Sequence, residues 1–228
     1  MVLIVPFVVQ IVAAVGLVGY LSFRNGQQAV NSIAFQLCRE IGDRIDQELH
    51  TFLSLPHQIH QNNEAAIQLG HLHVRDLQGL RRYFWKQAHI FKTVSDIGLG
   101  NAEGEIVAVS SVENDTGTVR ISHAATGYNM QVYAVNAAGE PTRLIKVTPN
   151  FRTRQRPWYQ DAERAGKPTW SDIFSRLGNQ DRLTISAVHP IYGSGNRLDG
   201  VLYILLPLSQ IGQFLRSLAI GKTGQSFV

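Results

Sequence analysis

The sequence predicts an α+β protein: an N-terminal transmembrane helix, a long rod helix, then an antiparallel sheet with flanking helices. Three observations carry this reading. The first 23 of 228 residues contain no Asp, Glu, Lys or Arg, so all 21 basic and 17 acidic side chains follow them. Apolar residues then recur at threes and fours from Ile33 to Phe52, the period of a helix. After Thr93 come short β-rich runs separated by Gly, Asn and Asp, with one helical stretch before the last strands; that order is α+β with a meandering sheet. A hydrophobic content of 44% with a net charge of only +4 excludes disorder, and the single Cys38 excludes a disulfide scaffold.

Val2 to Phe23 is interrupted only by Pro6, Gln10, Gly16, Gly19 and Ser22. As a helix it reaches about 33 Å at 1.5 Å per residue, against a hydrocarbon core of about 30 Å. Lipid leaves backbone polar groups unsatisfied unless the segment is helical. Tyr20, Phe23 and Arg24 mark the far end as interfacial. A cleaved signal peptide and a buried core helix are the alternatives. The run exceeds a usual signal core and has neither a charged leader nor a small-residue cleavage site.

Gln27 to Gln61 reads as one helix, with Ile33, Leu37, Ile41, Ile45, Leu49 and Phe52 along a face. Pro56 is expected to kink or end it, and Asn62-Asn63 to stop it. Glu64 to Leu69 reads as a short helix closed by Gly70. Asp76 to His89 is a second amphipathic helix, striped by Leu77, Leu80, Phe84 and Ala88. Strands are expected at Val94 to Leu99, Glu105 to Ser111, Val119 to His123, Met130 to Val135, Thr142 to Thr148, Thr184 to Tyr192 and Arg197 to Leu206. Pro157 to Ala165 is a helix with Pro at its first position and Gly166 after its end. Leu208 to Leu218 closes the module, and Gln225 to Val228 starts another strand. The expected organisation is a span at 1–23, a helical connection at 24–92, an α+β module at 93–218, and the start of a truncated second module at 219–228.

Several motifs weigh little. Gly221-Lys222-Thr223 lacks the glycine, strand and helix of a phosphate loop. His50, His57, His60, His71 and His73 lie close together but read as polar residues on a solvated helix face; no metal or cofactor is expected. Ser186 and His189 point to opposite faces of one strand. Asn114-Asp115-Thr116 matches a glycosylation sequon. Arg152, Arg154 and Arg156 are too brief a cluster for nucleic acid.

The informative segment is Phe151 to Tyr159, with Trp170, Asp172 and Phe174 beyond it. Arg156 precedes Pro157 and so is extended, which puts a guanidinium at the mouth of a helix whose first N–H groups are unpaired. That combination suits an anion, especially a carboxylate, with Trp158 and Tyr159 as walls. The bland reading has Trp158, Trp170 and Phe174 filling the core and Arg156 paired with Asp172.

Arg156-Pro157-Trp158-Tyr159, Gly166 with Trp170, Asp172, Ile173 and Phe174, then Ile185-Ser186, Pro190-Ile191-Tyr192 and Gly200-Val201-Leu202 resemble the membrane-distal module of double Cache sensor domains. The run from Ser95 to Val107 resembles it too, and the Ile220 to Gln225 segment resembles the entry into the membrane-proximal module. The resemblance implies a PAS-like antiparallel sheet carried on the long helix and an extracytoplasmic domain after about residue 24 at the plasma (inner) membrane. It also implies small-ligand sensing in signal transduction, with any kinase or cyclase output beyond Val228 and no enzyme within this chain. In the amino-acid-binding branch the residues matching Arg156, Trp158 and Tyr159 hold the ligand carboxylate. Phe151 stands where that branch has a hydroxyl, and 201–206 lacks its acid. The expected ligand is therefore a small carboxylate or another organic metabolite, with Tyr203 lending a hydroxyl. A homodimer through the long helix is expected. A ligandless dimerisation ectodomain and an anchored hydrolase are the rivals.

Overall fold

The computed structural model describes residues 4–113, 116–176 and 179–217. Asn114-Asp115 of the sequon, the Gly221-Lys222-Thr223 motif and the expected strand at Gln225 to Val228 lie outside them. The chain divides into two compact units, one covering the chain up to His50 and the other Thr51–Leu218. Helix α1 (Ile4–Gln68) is continuous through the expected breaks. In the first unit its large apolar side chains, among them Phe7, Val12, Leu17 and Phe23, are exposed, and it holds a stretch long and apolar enough to cross a membrane.

In the second unit α1 runs past Pro56 and Asn62-Asn63, contrary to the sequence expectation. An internal proline removes one helical hydrogen bond. Here the neighbouring turns are held by tertiary contacts: Ile59 is buried in the core, and Asn63 Oδ1 accepts from Gln87 Nε2 at 2.6 Å. What read as a separate helix at Glu64 to Leu69 is the last turn of α1, and it does close at Gly70, whose φ is +76. Helix α2 (Leu77–Ile90) begins as the pattern predicts, with Asp76 accepting from the Gly79 N–H at 2.9 Å.

The strands are β1 (Asp96–Asn101), β2 (Ile106–Glu113), β3 (Thr116–Ser122), β4 (Met130–Val135), β5 (Pro141–Thr148), β6 (Thr169–Trp170), β7 (Phe174–Arg176), β8 (Asn179–Tyr192) and β9 (Leu198–Pro207). Helix α3 (Pro157–Ala165) precedes β6 and α4 (Leu208–Ser217) follows β9. The short β6 and β7 were not expected from the sequence. Each pairs with β8, whose length lets it hold both. The sheet is antiparallel in the order β5-β4-β3-β2-β1-β9-β8-β6, with β7 beside β8.

Side chains alternate between faces along a strand, so the sheet has two cores. One face carries Ile97, Leu99, Val107, Val109, Leu202 and Ile204 against Ile59, Leu80 and Phe84 of α1 and α2. The other carries Ile106, Ala108, Val188, Val201, Tyr203 and Leu205 against Trp158, Tyr159 and Ala162 of α3. The β4–β5 hairpin is hooked onto α2. Buried Arg81 donates to the Gly139 carbonyl and pairs with Glu140, and Trp85 Nε1 donates to Ala137 O at 3.2 Å.

The histidines correct another expectation. His60 is fully buried, not solvated. Its Nε2 meets the Ala187 carbonyl of β8 at 3.0 Å, so that nitrogen carries the proton. Burial pushes His60 down to about 3, with its neighbours His189 and His57 adding to the effect. His189 Nε2 meets Glu64 at 2.8 Å. Both residues join α1 to β8 on the face away from α3.

Candidate functional site

The Phe151 to Tyr159 segment folds as its composition dictates. A short 3-10 turn at Thr153–Gln155 leads to Arg156, whose ψ of 141 is the extended value required before proline. The N–H groups of Tyr159 and Gln160 then bond the Arg156 carbonyl, and α3 begins. Gly166 closes α3 with a positive φ of 63. The helix settles close on the sheet because β1 presents glycines. A Cβ on Gly100 would stand 2.6 Å from Thr153 and 2.9 Å from the Trp158 ring. One on Gly98 would stand 2.7 Å from the Val107 carbonyl and 2.8 Å from the Tyr203 ring. Trp158 accordingly lies against Tyr203, ring centroids 4.2 Å apart.

A cavity opens beside this pair. Its empty space, open solvent at the mouth included, is about 610 Å³. Strand register explains it. Tyr203, Gly98, Ala108, Arg120, Val132 and Lys146 form one rung across β9, β1, β2, β3, β4 and β5. Members of a rung point to the same face. The middle positions Gly98 and Ala108 are small, and the Tyr203 ring lies over Gly98. The larger members Tyr203, Arg120, Val132 and Lys146 line the cavity, and Phe151, Arg156, Trp158, Phe174 and Leu205 complete the wall.

The twelve lining residues include three cations, Arg120, Arg156 and Lys146, and no carboxylate. Arg120 is mostly buried and pairs with Asp96 of β1. Ser110 also donates to Asp96. Burial works against the Arg120 charge, but Asp96 and the Tyr203 hydroxyl, within hydrogen-bond reach, outweigh it and hold the guanidinium above its ordinary value. Arg156 differs. It is half-buried, makes no ion pair among the described residues, and lies over the Phe151 ring with Cζ 5.8 Å from the centroid. Burial moves it below its ordinary value, offset only in part by Tyr203. Lys146 is exposed on the edge strand β5 at the mouth.

Of the residues singled out from sequence, Phe151, Arg156, Trp158, Phe174 and Tyr203 come together around this cavity. Tyr159, Trp170 and Asp172 do not line it. Tyr159 is fully buried beneath α3 and is pushed up to about 12 by burial, with Arg154 opposing. Trp170 stands edge-on to His57, centroids 5.2 Å apart. Asp172 is exposed, its N–H donating to Asp161 at 3.0 Å, so the suggested Arg156–Asp172 pair does not form. Sequence reasoning missed Arg120, Lys146 and Asp96. A charge between Val119 and Ile121 reads as a solvent-facing position of a strand; only pairing with β2 and β4 turns it inward.

No family model matches this sequence, and no curated protein matches it. Among solved structures, the ligand-binding domain of the Pseudomonas aeruginosa PAO1 amino acid chemoreceptor PctB in complex with L-Arg is similar, with a TM-score of 0.51 and 17% identity over 82% of this chain and 60% of that one. The same receptor domain with L-Gln gives 0.49 and 18% over 82% and 58%. The domain of PctC in complex with GABA gives 0.49 and 16% over 77% and 64%. This chain thus spans about 60% of the length of the PctB domain, and at such identity the likeness is one of fold. The chain shares its fold, an antiparallel sheet with flanking helices behind a long N-terminal helix, with the PctB ligand-binding domain.

Proposed function

We propose that this chain is the membrane-distal ligand-sensing part of a membrane-anchored receptor, and that the cavity beneath α3 takes a small carboxylate. The observation that carries the reading is Arg156: a half-buried cation facing a cavity with no ion-pair partner among the described residues. A desolvated, unpaired charge is costly, and a carboxylate guest would offset that cost with charge-assisted hydrogen bonds. Trp158, Tyr203 and Phe151 supply apolar walls for the rest of such a guest. The apolar part of α1 serves as the anchor, with the chain after about residue 24 extracytoplasmic and a dimer formed along the helix. The unit from Thr51 to Leu218 is the sensing module, and the signal is a shift between two arrangements of sheet and α1 favoured unequally by ligand. The chain acts as a sensor and not a catalyst, any enzymatic output belonging elsewhere in the receptor.

The test is calorimetric titration of the full chain in lipid nanodiscs with a panel of small carboxylates and amino acids. Binding of a carboxylate that Arg156→Gln abolishes, in a variant with unchanged circular dichroism, supports the reading. Absence of binding across the panel, or binding indifferent to Arg156→Gln, overturns it.

A further inference from the structure

The cavity's charge is larger than one carboxylate needs. Arg120, Arg156 and Lys146 line it, and the acid in contact with these cations, Asp96, lies on β1 against Arg120. Among the described residues, one acid against three cations leaves two positive charges facing the cavity. They also stand apart. Arg156 enters from the start of α3, beside Phe151. Lys146 enters from β5, two strands beyond Arg120 and five beyond Tyr203 on the same rung. At about 4.8 Å per strand, Lys146 and Arg120 have backbones about 10 Å apart. Arg120 lies between the two poles, and its five N–H donors are only partly used by Asp96 and Tyr203. The lining also includes the apolar Met130, Val132 and Leu205.

We infer that the ligand is a small organic dianion with its two negative groups at opposite ends, an α,ω-dicarboxylate, one end held by Arg156 and the other by Lys146 with Arg120. This rests on the carboxylate-sensing reading and adds to it the second charge. A single concentrated dianion such as a phosphate monoester fits less well, because the unpaired cations sit on different elements across the cavity.

The full chain in nanodiscs is titrated with dicarboxylates from malonate to adipate, with monocarboxylates of matched length, and with inorganic phosphate. One dicarboxylate is expected to bind about fivefold more tightly than its matched monocarboxylate, the scale of an exposed ion pair such as Lys146 makes. Lys146→Gln should bring that dicarboxylate down to the monocarboxylate level and leave the monocarboxylate unchanged, while Arg156→Gln removes both. If the two series bind equally, or Lys146→Gln weakens both alike, the second charge is refuted and carboxylate sensing stands. Phosphate binding more tightly than every dicarboxylate overturns the separated-charge reading as well. If neither series binds, or Arg156→Gln leaves both intact, the carboxylate-sensing reading fails with it.

Discussion

The two faces of one sheet are built from alternate residues of the same strands, yet they are filled differently. Toward α1 and α2, Ile97, Leu99, Val107, Val109, Leu202 and Ile204 meet Leu80 and Phe84, every one of them at most 1% exposed. Toward α3, small Gly98 and Ala108 make room for the Tyr203 ring, and Arg120, Arg156 and Lys146 border the cavity beside it. The first face holds the fold together. The second leaves part of its potential packing unmade, as a hollow beside Tyr203 and Trp158. The contrast is one of side-chain size and charge at adjacent positions, such as Leu99 beside Gly98, in a common backbone.

The largest expected effect falls on the packed face. Phe84→Ala should lower unfolding free energy by about 3–5 kcal/mol, read by urea denaturation, without changing the affinity of protein that remains folded. A variant that loses affinity in proportion to stability would mean the faces are not separable. The same face should also make stability depend on acid. His60 is held at about 3 when folded and titrates near 6.5 when unfolded. Between those values the unfolded chain binds the extra proton, so stability is whole above pH 6.5 and falls as pH drops toward 3. The slope is up to about 1.4 kcal/mol per pH unit, and denaturation midpoints from pH 7 to 4.5 measure it. His60→Gln should flatten that slope.

On the hollow face Gly98→Ala places a methyl group against the Val107 carbonyl and the Tyr203 ring. A cost of about 1–3 kcal/mol in stability is expected, together with loss of carboxylate binding in calorimetry; binding that survives would put the ligand elsewhere. The smallest effect has the opposite sign. Arg156→Met removes a half-buried cation that makes no ion pair among the described residues and should stabilise the unliganded protein by about 0.5–1 kcal/mol, seen as a raised melting temperature, while ligand no longer raises it further. A destabilised Arg156→Met would show that the guanidinium is already satisfied within the protein.

Much of the fold was legible residue by residue. The 3.6-residue stripe of α2, the span of β4 from Met130 to Val135, and α3 between Pro157 and Gly166 appear where periodicity and turn chemistry place them. These signals are local, set within a few residues of chain. Pro56 and Asn62-Asn63 were misleading for the same reason, since the local rule is outweighed when Ile59 and Asn63 are held by distant α2 and the sheet. The aromatic and cationic segment from Phe151 to Trp158 stood out as half of the candidate site because its residue types are unusual together. Its other half was silent in the linear text. Nothing near Arg120 or Lys146 in sequence sets them apart from surface charges, and Asp96 reads as a strand-edge acid. Their meeting depends on register across five strands, which hydrogen bonds between residues far apart in the chain set. Residue periodicity chose the elements; cross-strand pairing chose which charges share a hollow and which are buried in its wall.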